Sequence, residues 1–407
     1  MRVAIVAESF LPQLNGVTHS LLRVLDHLEA HGHEALVIAP DAPRGTATHA
    51  YGRSRVVRVT SAPLPGYQAV RIGLPGVGRL ARILADFAPD VVHLASPFVL
   101  GWRAAQAARQ LALPTVAVYQ TEVPAYAGRY GVGALEPLLW NRVRDIHEAV
   151  TLTLAPSTHA CRELAEHGVP RVRLWPRGVD ARRFSPQHRD PAWRARVAPH
   201  GETVIGVVGR LAPEKQLDDL RAVADLPGTR LVLVGDGPER GRVQRAFPDA
   251  LLTGQLDGAE LARAVASMDV LVHPGEHETF CQSIQEAMAS GVPVVAPARG
   301  GPVDLVDVSR TGWLYAPGDL GALRSHVLDL VGDERKRQAF GAAARAAVAG
   351  RGWGPVCDAL LEHYAGARSL AASSADRPSA DRPSADDIPS GHVPSGRATA
   401  DPAAARP

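Results

Sequence analysis

The chain has 407 residues, of which 46% are hydrophobic and 21% are charged, and its formal net charge is +2. Because one hydrophobic core rarely serves so long a chain, we expect two domains with a cleft between them. The small net charge excludes a polycation that coats nucleic acid, so no nucleic-acid partner is expected. Three widely spaced cysteines, without C-x-x-C or Cys/His spacing, indicate neither a disulfide framework nor a zinc site. No apolar run approaches the roughly 18 residues of a membrane span, which predicts a cytoplasmic protein with at most peripheral membrane contact.

Short β-branched runs alternate with longer helical patterns along the chain. In the first half the runs lie at residues 2–7, 34–39, 90–94, 115–119 and 150–154. The rhythm restarts at 203–208 and continues at 230–234, 250–253, 269–273 and 293–296. This alternation predicts an α/β protein with two doubly wound parallel sheets, each covered by helices on both faces.

The domain boundaries follow from this rhythm. We predict Rossmann-like domains at 1–175 and 176–350, with the Pro- and Arg-rich segment 169–199 as the crossing between them. Residues 367–407 repeat Ser-Ala-Asp-Arg-Pro and contain almost no large apolar side chains. Such a segment cannot bury enough surface to offset its ordering entropy, so a disordered tail is expected there.

The first strand is followed by a loop that ends in Asn15 and Gly16, and a helical pattern then runs to about Ala30. A glycine lets the backbone approach a ligand closely, and the N-terminus of a helix favours an anion. Taken alone, such a glycine is more often structural than functional. The loop lacks G-x-G-x-x-G spacing, which argues against a dinucleotide-dependent dehydrogenase.

Two cations follow the first strand of the second domain. Arg210 and Lys215 lie in the loop that leads to the next helix, at the edge where open α/β sheets bind ligands. An arginine fork and a lysine charge suit a diphosphate, whose negative charge grows as it departs. Two solvated surface cations would be an equally good interpretation if the pair stood alone.

Two carboxylates, Glu278 and Glu286, are separated by seven residues across a loop-to-helix boundary. Both can face one cleft while standing several ångströms apart. Carboxylates accept hydrogen bonds from sugar and ribose hydroxyls. The loop amides between them, at a helix N-terminus, can bind hydroxyl or phosphate oxygens.

Taken in order, these motifs resemble the large family of retaining GT-B glycosyltransferases marked by an E-x7-E motif, the glycosyltransferase family 4 type. The likeness covers about residues 1–365. The matched motifs are Asn15-Gly16, Arg177-Gly178-Val179-Asp180 with Phe184-Ser185-Pro186, Arg210 with Lys215, Gly235-Asp236-Gly237-Pro238, and Glu278 with Glu286. The amino-acid sequences of residues 8–12 and 278–282 resemble in particular those of actinobacterial α-mannosyltransferases that use GDP-mannose. The resemblance also implies that a helix at about 351–366 returns to pack on the first domain.

The resemblance assigns roles in binding the nucleotide-sugar donor. Gly16 would lie against the donor diphosphate, and Arg210 and Lys215 would neutralise it. Glu278 would hold hydroxyls of the transferred sugar, and Glu286 would hold the ribose. Arg210, Lys215 and Glu278 are accordingly the expected catalytic residues.

The resemblance places further groups in the sugar pocket. The backbone amides of Phe280, Cys281 and Gln282 would complete it. Gln120 departs from the family pattern, since relatives usually place a histidine there, near the donor sugar. Its amide can donate a hydrogen bond to a hydroxyl but cannot carry charge, so its role is less defined.

No metal or other cofactor is expected. Retaining members of the family are thought to react on one face of the sugar, with the departing phosphate drawing the proton from the acceptor hydroxyl. The chain contains no Asp-x-Asp pair, and positive side chains and helix dipoles would replace a metal clamp. His31 and His33 flank the end of the first predicted helix and are interpreted as partners of its dipole.

Three functions remain open at this point: a hexosyltransferase, a sugar-nucleotide epimerase or phosphorylase on the same fold, and a non-enzymatic sugar-nucleotide binding protein. The presence of both cations and both carboxylates disfavours a mere binding protein. A two-carboxylate glycosidase is disfavoured because the domains are doubly wound and the cations are placed for phosphate.

The acceptor prediction rests on a charge asymmetry, because no acidic residue lies between Asp41 and Asp86. The arginines of this stretch are Arg44, Arg53, Arg55, Arg58, Arg71, Arg79 and Arg82, and the interspersed apolar residues are Leu64, Tyr67, Val70, Ile72, Leu74 and Val77. Such a mixture suits an anionic membrane surface. It predicts a peripheral enzyme that mannosylates a lipid-linked or other glycan acceptor on the cytoplasmic leaflet. The alternative is a solvated, Arg-rich loop.

Overall fold

The computed structural model describes residues 1–43, 45–64, 67–122 and 133–375. The first half of the chain forms one sheet and a small ribbon. Its strands are β1 (Arg2–Ala7), β2 (Glu34–Pro40), β3 (Ala50–Tyr51), β4 (Ser54–Val59), β5 (Ser61–Leu64), β6 (Tyr67–Gly73), β7 (Val91–Ala95), β8 (Thr115–Val118), β9 (Leu152–Ala155) and β10 (Val172–Leu174). The sheet order is β10-β9-β8-β7-β1-β2-β4-β3, parallel up to β4 and closed by antiparallel β3. β5 and β6 form a separate antiparallel ribbon.

Helices cover both faces of this sheet. They are α1 (Gly16–Ala30), α2 (Val77–Phe87), α3 (Leu100–Gln110), α4 (Glu136–Glu148) and α5 (Thr158–Glu166). The central strands are buried on both faces, which is why they read as unbroken apolar runs and not as alternating ones.

The second half repeats the design. Its strands are β11 (Thr203–Val208), β12 (Thr229–Val234), β13 (Leu251–Gly254), β14 (Val270–Val272), β15 (Val294–Pro297) and β16 (Gly312–Tyr315), in the parallel order β13-β12-β11-β14-β15-β16. Its helices are α6 (Pro191–Val197), α7 (Arg240–Ala246), α8 (Gly258–Ala266), α9 (Gln282–Ala289), α10 (Pro302–Leu305), α11 (Leu320–Gly332) and α12 (Glu334–Val348). The predicted pair of doubly wound sheets is confirmed.

The strand order of each sheet places a binding edge beside its first strand. β1 lies between β2 and β7, and β11 lies between β12 and β14, so the connections leave in opposite directions on either side. In open α/β sheets this arrangement opens a crevice at the carboxyl end of the central strand. The loops that follow β1 and β11 are the two that carry Gly16 and Arg210.

The last helix, α13 (Trp353–Ala375), returns to the first sheet. Val356, Leu360, Tyr364 and Ala367 are buried in the core of the first domain. The buried hydroxyl of Tyr364 lies 2.7 Å from Nδ1 of His93, on β7.

This helix is longer than the sequence predicts, because residues 367–375 remain helical where the tail was expected to begin. This segment is rich in alanine, the strongest helix former, and Ala367 is fully buried. Residues 376–407 lie outside the described ranges. Among the described helices, none combines the length and apolar character that crossing a bilayer requires.

Candidate active site

A cleft of about 680 Å³ separates the two domains at the carboxyl ends of their sheets. The first domain contributes the loop after β1 and the loop after β8, and the second contributes the loops after β11, β12 and β14. The predicted site residues that line the cleft are Gly16, Gln120, Arg210, Lys215, Glu278, Phe280, Cys281 and Gln282. The structure therefore brings together side chains that lie far apart in the sequence.

The first wall presents backbone amides at the start of α1. Asn15 caps this helix, since its side chain accepts a hydrogen bond from the amide of Thr18. Asn15 also donates to the hydroxyl of Ser9, which fixes the loop. A Cβ added at Gly16 would meet no atom within 4 Å, so packing does not require glycine there. The space in front of Gly16 is open to a ligand that approaches the helix N-terminus.

The second wall carries a compact set of ion pairs. Arg210 is half exposed and donates to the buried carboxylate of Glu214. Lys215 donates to Glu278 at short range, and Nε2 of His273 lies 3.5 Å from the same Glu278 carboxylate. Two cationic side chains thus contact Glu278 and fix it in the cleft.

These contacts set the protonation states. Burial by itself raises the pKa of Glu278, but Lys215 and His273 outweigh it and lower that pKa to about 2. Burial by itself lowers the pKa of His273, yet Cys281 and Glu278 raise it to about 9. The pKa of Lys215 is raised because Glu278 outweighs its burial. At neutral pH, Glu278 is an anion held between two cations.

Two glycines that follow β15 pack against the backbone of the loop from Glu278 to Gln282. Gly300 has φ +67°, and a Cβ there would lie 2.5 Å from the carbonyl oxygen of Glu278. The amide of Gly301 donates to that carbonyl at 2.7 Å. Cys281, the N-cap of α9, has φ +72°, a left-handed conformation that is costly for a residue with a side chain. The predicted amides of Phe280, Cys281 and Gln282 therefore lie in a strained loop at a helix N-terminus.

Glu286 lies outside the set of described residues that line the cleft. It follows Gln282 by one turn of α9, which places both on one helical face. Burial raises the pKa of Glu286 to about 8, against the opposing effects of Gln282 and Arg183. The free protein at neutral pH therefore holds this carboxyl largely protonated.

Arg177 is a site residue to which the sequence analysis gave no role. Its guanidinium is buried and donates to the carbonyl of Gly16 at 2.8 Å, to the hydroxyl of Ser20, and to Oε1 of Gln120. Burial lowers the pKa of Arg177 to about 10, so the side chain stays charged at neutral pH. The carbonyl of Arg177 accepts from Gln285, on the second domain. Arg177 thus links both walls.

Arg177 also explains the conformation of Gln120. A guanidinium can only donate, so the atom of Gln120 that faces it must be the amide oxygen. The amide nitrogen of Gln120 keeps its two hydrogens for other acceptors. The carbonyl of Gln120 accepts from the hydroxyl of Thr279 across the cleft, at 3.0 Å.

Glu8 supports the site from behind the first wall. Its carboxylate accepts from the backbone amides of Phe98 and Gly101 at 2.7 and 2.9 Å, and so caps α3. Burial raises its pKa, although those amides oppose the shift. In the sequence Glu8 contributes to the family resemblance, whereas in the structure it holds the loop after β1 to a neighbouring helix.

The Arg-rich stretch of the first domain is only partly a surface. Arg58 is half-buried and donates to the carbonyls of Thr48, Pro40 and Leu11, which lie at the end of β2 and in two loops beside it. Arg58 is therefore wrongly included in the predicted patch. Arg53 pairs with Glu29, and Arg71 donates to Ser61. The exposed members are Arg53, Arg55, Arg79, Arg82 and the apolar Leu74, with Ile72 and Val77 half-buried. Arg44 and the side chains of Leu64, Tyr67 and Val70 lie outside the described residues.

One group in the cleft has the donor atoms of a metal site. Ligand atoms of His273, Glu278 and Cys281 lie within 4.8 Å of one another. The ammonium of Lys215 already contacts the Glu278 carboxylate, so the protein supplies its own cation to this group.

The fold and the site together define a class of protein. Two doubly wound domains face a cleft in which cations on one side oppose a helix N-terminus on the other, an arrangement suited to a nucleotide diphosphate bearing a sugar. A solved structure of this architecture is sucrose-phosphate synthase from Thermosynechococcus elongatus, with a TM-score of 0.77 at 21% identity over 91% of this chain and 99% of that one. This likeness shows the two-domain GT-B fold.

Sequence comparison identifies the family. The model described as Glycosyltransferase Family 4 matches residues 14–183, and the model described as Glycosyl transferases group 1 matches residues 190–347. A GDP-mannose-dependent alpha-mannosyltransferase of Mycobacterium tuberculosis is 50% identical, covering 92% of this chain and 99% of that protein. One of the same name from Mycolicibacterium smegmatis is 51% identical, covering 92% and 100%. The chain belongs to glycosyltransferase family 4, which confirms the family, the fold and the hexosyltransferase class predicted from its motifs.

Proposed function

We propose that the protein transfers an α-mannosyl group from GDP-mannose to a hydroxyl of a glycolipid or glycan acceptor, with retention of configuration. The observation that carries this proposal is the Lys215–Glu278 pair beside Arg210, facing the open helix N-terminus at Gly16. The two mycobacterial relatives are GDP-mannose-dependent alpha-mannosyltransferases, which supports the choice of donor.

The cations act on the leaving group. A diphosphate laid across the cleft between Gly16 and the second wall would meet Arg210 and Lys215, whose positive charges are fixed before the reaction begins. Such preorganised charge stabilises the developing diphosphate more than the bound donor, and so lowers the barrier. Glu278 accepts hydrogen bonds from hydroxyls of the transferred sugar and orients its anomeric carbon. The departing phosphate takes the proton of the acceptor hydroxyl.

Gln120 contributes a neutral hydrogen-bond donor to the same pocket. Because Arg177 holds its amide oxygen, its amide nitrogen is the group available to the sugar. Gln120 thereby fills, without charge, the position at which the family resemblance implies a histidine. No metal or other cofactor enters this proposal, since Arg210, Lys215 and the dipole of α1 supply the positive field.

The test is incubation of the purified protein with radiolabelled GDP-mannose and a bacterial membrane lipid extract, with label followed in the organic phase. The proposal predicts label in an acceptor that α-mannosidase then releases. Label that stays on the nucleotide as an isomerised sugar would instead indicate an epimerase, and binding without turnover would indicate a binding protein. Lys215→Ala should lower the signal by at least about 10²-fold, and Lys336→Ala, at a residue of α12 outside the described set that lines the cleft, should leave it unchanged.

We also propose that the exposed arginines of the first domain bring the enzyme to an anionic membrane surface, where a lipid acceptor lies. Arg79 and Arg82 are exposed on α2, and each basic residue near such a surface contributes roughly 1 kcal/mol. Sedimentation with vesicles should increase with anionic lipid content, weaken in salt, and fall when both become Ala. The control removes two exposed arginines of the second domain, Arg221 and Arg310. Equal loss in both double variants, or indifference to lipid charge, would favour a soluble acceptor.

A further inference from the structure

A cluster of three metal-ligating side chains lies on the first domain, away from the cleft. His27 is in the last turn of α1, and His31 is the C-cap residue of that helix. Asp358 belongs to α13, the helix that returns from the second domain. One ring nitrogen of each histidine and one oxygen of Asp358 lie within 4.8 Å of one another.

The two histidines are arranged as a pair. Four residues apart on a helix, they project from the same face, and their rings stack with centroids 4.0 Å apart. Nε2 of His27 lies 3.0 Å from Oδ1 of Asp358. The side chain of Asp358 is 60% exposed, so the group is open to an ion from solvent.

The hydrogen bonding of the cluster leaves nitrogen lone pairs available. Nδ1 of His31 lies 2.8 Å from the carbonyl oxygen of His27, which can only accept, so Nδ1 carries the proton. Nε2 of His31 therefore keeps its lone pair, and a backbone carbonyl that fixes a tautomer in this way is typical of metal-bound histidines. Two imidazole rings and one carboxylate thus bring three ligand atoms to one place.

We propose that His27, His31 and Asp358 bind a divalent transition-metal cation of the zinc class and that this cation joins α1 to α13. Imidazole nitrogen with one carboxylate oxygen is a donor set that Zn²⁺ accepts, whereas Mg²⁺ and Ca²⁺ prefer oxygen ligands. The ion would lie between Nε2 of His27 and Oδ1 of Asp358, and any proton on Nε2 would leave that atom when the metal binds. Because the ligands come from two helices 327 positions apart at their closest, the sequence spacing of His31 and His33 gives no sign of the site.

The consequence is a reinforced attachment of the returning helix. Nε2 of His27 and Oδ1 of Asp358 already lie 3.0 Å apart at the contact of α1 with α13, and a bound ion would add metal–ligand bonds there. A ligand that binds the folded state alone raises the free energy of unfolding, and the gain grows with the logarithm of the ligand concentration once that exceeds Kd. The three ligands lie outside the set of described residues that line the cleft. The ion would therefore act on stability and not on the transfer reaction.

The experiment uses the full chain after removal of metals with a chelator. Zinc chloride is titrated by isothermal calorimetry, and thermal unfolding is recorded at rising zinc concentration. The wild type should bind one zinc ion at this site and gain thermal stability. His31→Ala should weaken this binding at least about tenfold and remove the gain. Asp358→Asn should do the same, because a neutral amide is a weaker metal ligand than a carboxylate, while the buried side chains of Val356, Leu360 and Tyr364 keep α13 docked without zinc.

The matched control is His49→Ala, which removes an exposed histidine outside the cluster and should bind zinc as the wild type does. The proposal is overturned if both cluster variants bind zinc as tightly as the wild type, or if zinc leaves wild-type unfolding unchanged. Transferase activity of the metal-free variants should equal that of the wild type. The result is therefore independent of the donor and acceptor proposed above.

Discussion

The two walls of the cleft are built differently. The second-domain wall consists of charged side chains that hold one another: Arg210 with Glu214, and Glu278 between Lys215 and His273. The first-domain wall consists of backbone amides at Gly16 and the neutral side chain of Gln120. Its shape is maintained from outside, by Arg177 from the interdomain segment and by α13 from the end of the chain.

The difference indicates a division of labour. Charge that must meet a diphosphate is concentrated on one wall, where ion pairs keep it ionised at neutral pH. The opposite wall offers neutral donors, which can bind a sugar or an acceptor without competing for the phosphates. Activity should therefore be sensitive to the loss of a single charge on the second-domain wall. On the first-domain wall it should be sensitive to the loss of the groups that support the wall from outside, Arg177 and α13.

Removing α13, which supports the first domain, should have the largest effect on stability. A chain ending at residue 352 lacks α13 and exposes the core that Val356, Leu360 and Tyr364 cover. Burial of such side chains contributes about 1.5–3 kcal/mol each, a sum comparable with the whole stability of a domain. We expect the first domain to unfold, as seen by circular dichroism. A chain ending at residue 375 should melt like the full protein, and equal behaviour of the two truncations would refute the support.

Lys215→Ala tests the charged wall. The change removes a cation from the diphosphate and leaves the buried Glu278 with one partner fewer, so kcat/KM should fall about 10²- to 10³-fold. Lys336→Ala, which removes an ammonium paired with Asp329 on the second domain, should leave kcat/KM unchanged. Loss of the circular dichroism spectrum in Lys215→Ala would show instead that the residue holds the fold.

Arg177→Lys tests the support of the neutral wall, because an ammonium cannot match the fork that reaches Gly16, Ser20 and Gln120. We expect kcat/KM to fall about 10- to 100-fold, the worth of one or two charged hydrogen bonds. If Arg177 acts through Gln120, the double variant with Gln120→Ala should be little worse than Arg177→Lys alone. Fully additive losses would mean that the two residues work separately.

Glu286 gives a pH dependence with a defined sign. Its pKa of about 8 means that the carboxyl gains charge as pH rises toward that value, and an ionised carboxylate accepts from both ribose hydroxyls. GDP affinity should therefore increase between about pH 6.5 and 8.5, by at most about tenfold per pH unit. Titration calorimetry of the wild type against Glu286→Gln isolates this effect from titration of the phosphates. Parallel profiles for the two proteins would remove Glu286 from ribose binding.

The same raised pKa affects stability with the opposite sign. A carboxyl whose pKa is higher in the folded state than its ordinary 4.5 stabilises the fold fully below 4.5, and that contribution is lost as pH rises toward 8. The ligand-free wild type should therefore lose thermal stability relative to Glu286→Gln over this interval.

A chelator should have the smallest effect. The proposal gives Arg210 and Lys215 the place of a metal beside the diphosphate, so it predicts that EDTA leaves most of the transferase activity in place. Metal-stripped protein that recovers activity only with Mg²⁺ or Mn²⁺ would contradict the metal-free charged wall.

The sequence predicts most of the fold, because buried strands appear in it as unbroken apolar runs such as 203–208. It also predicts the members of the charged wall, since Arg210, Lys215 and Glu278 follow strands whose ends meet at one edge. It does not predict what Arg177 does, because its partners Gln120 and Gly16 lie 57 and 161 positions away. The glycine pair Gly300-Gly301 was a readable signal, since adjacent glycines after a strand indicate close backbone approach.

For the arginine patch, the sequence overstates how many charged side chains face solvent. Counting charges in the sequence treats Arg58 and Arg79 alike, yet Arg58 donates to three backbone carbonyls and Arg79 is exposed to solvent. The length of α13 was underestimated for a related reason. Its last residues are small and carry little periodic signal, although they are good helix formers.

A crystal structure of the complex with GDP tests the central claim most directly. The account predicts diphosphate oxygens within about 3.2 Å of Arg210 and Lys215, the helix N-terminus at Gly16 facing the same phosphates, and the ribose at Glu286. Lys215 should then divide its hydrogen bonds between the diphosphate and Glu278. A diphosphate bound away from the second-domain wall, or one that reaches the protein through a metal ion alone, would contradict the account.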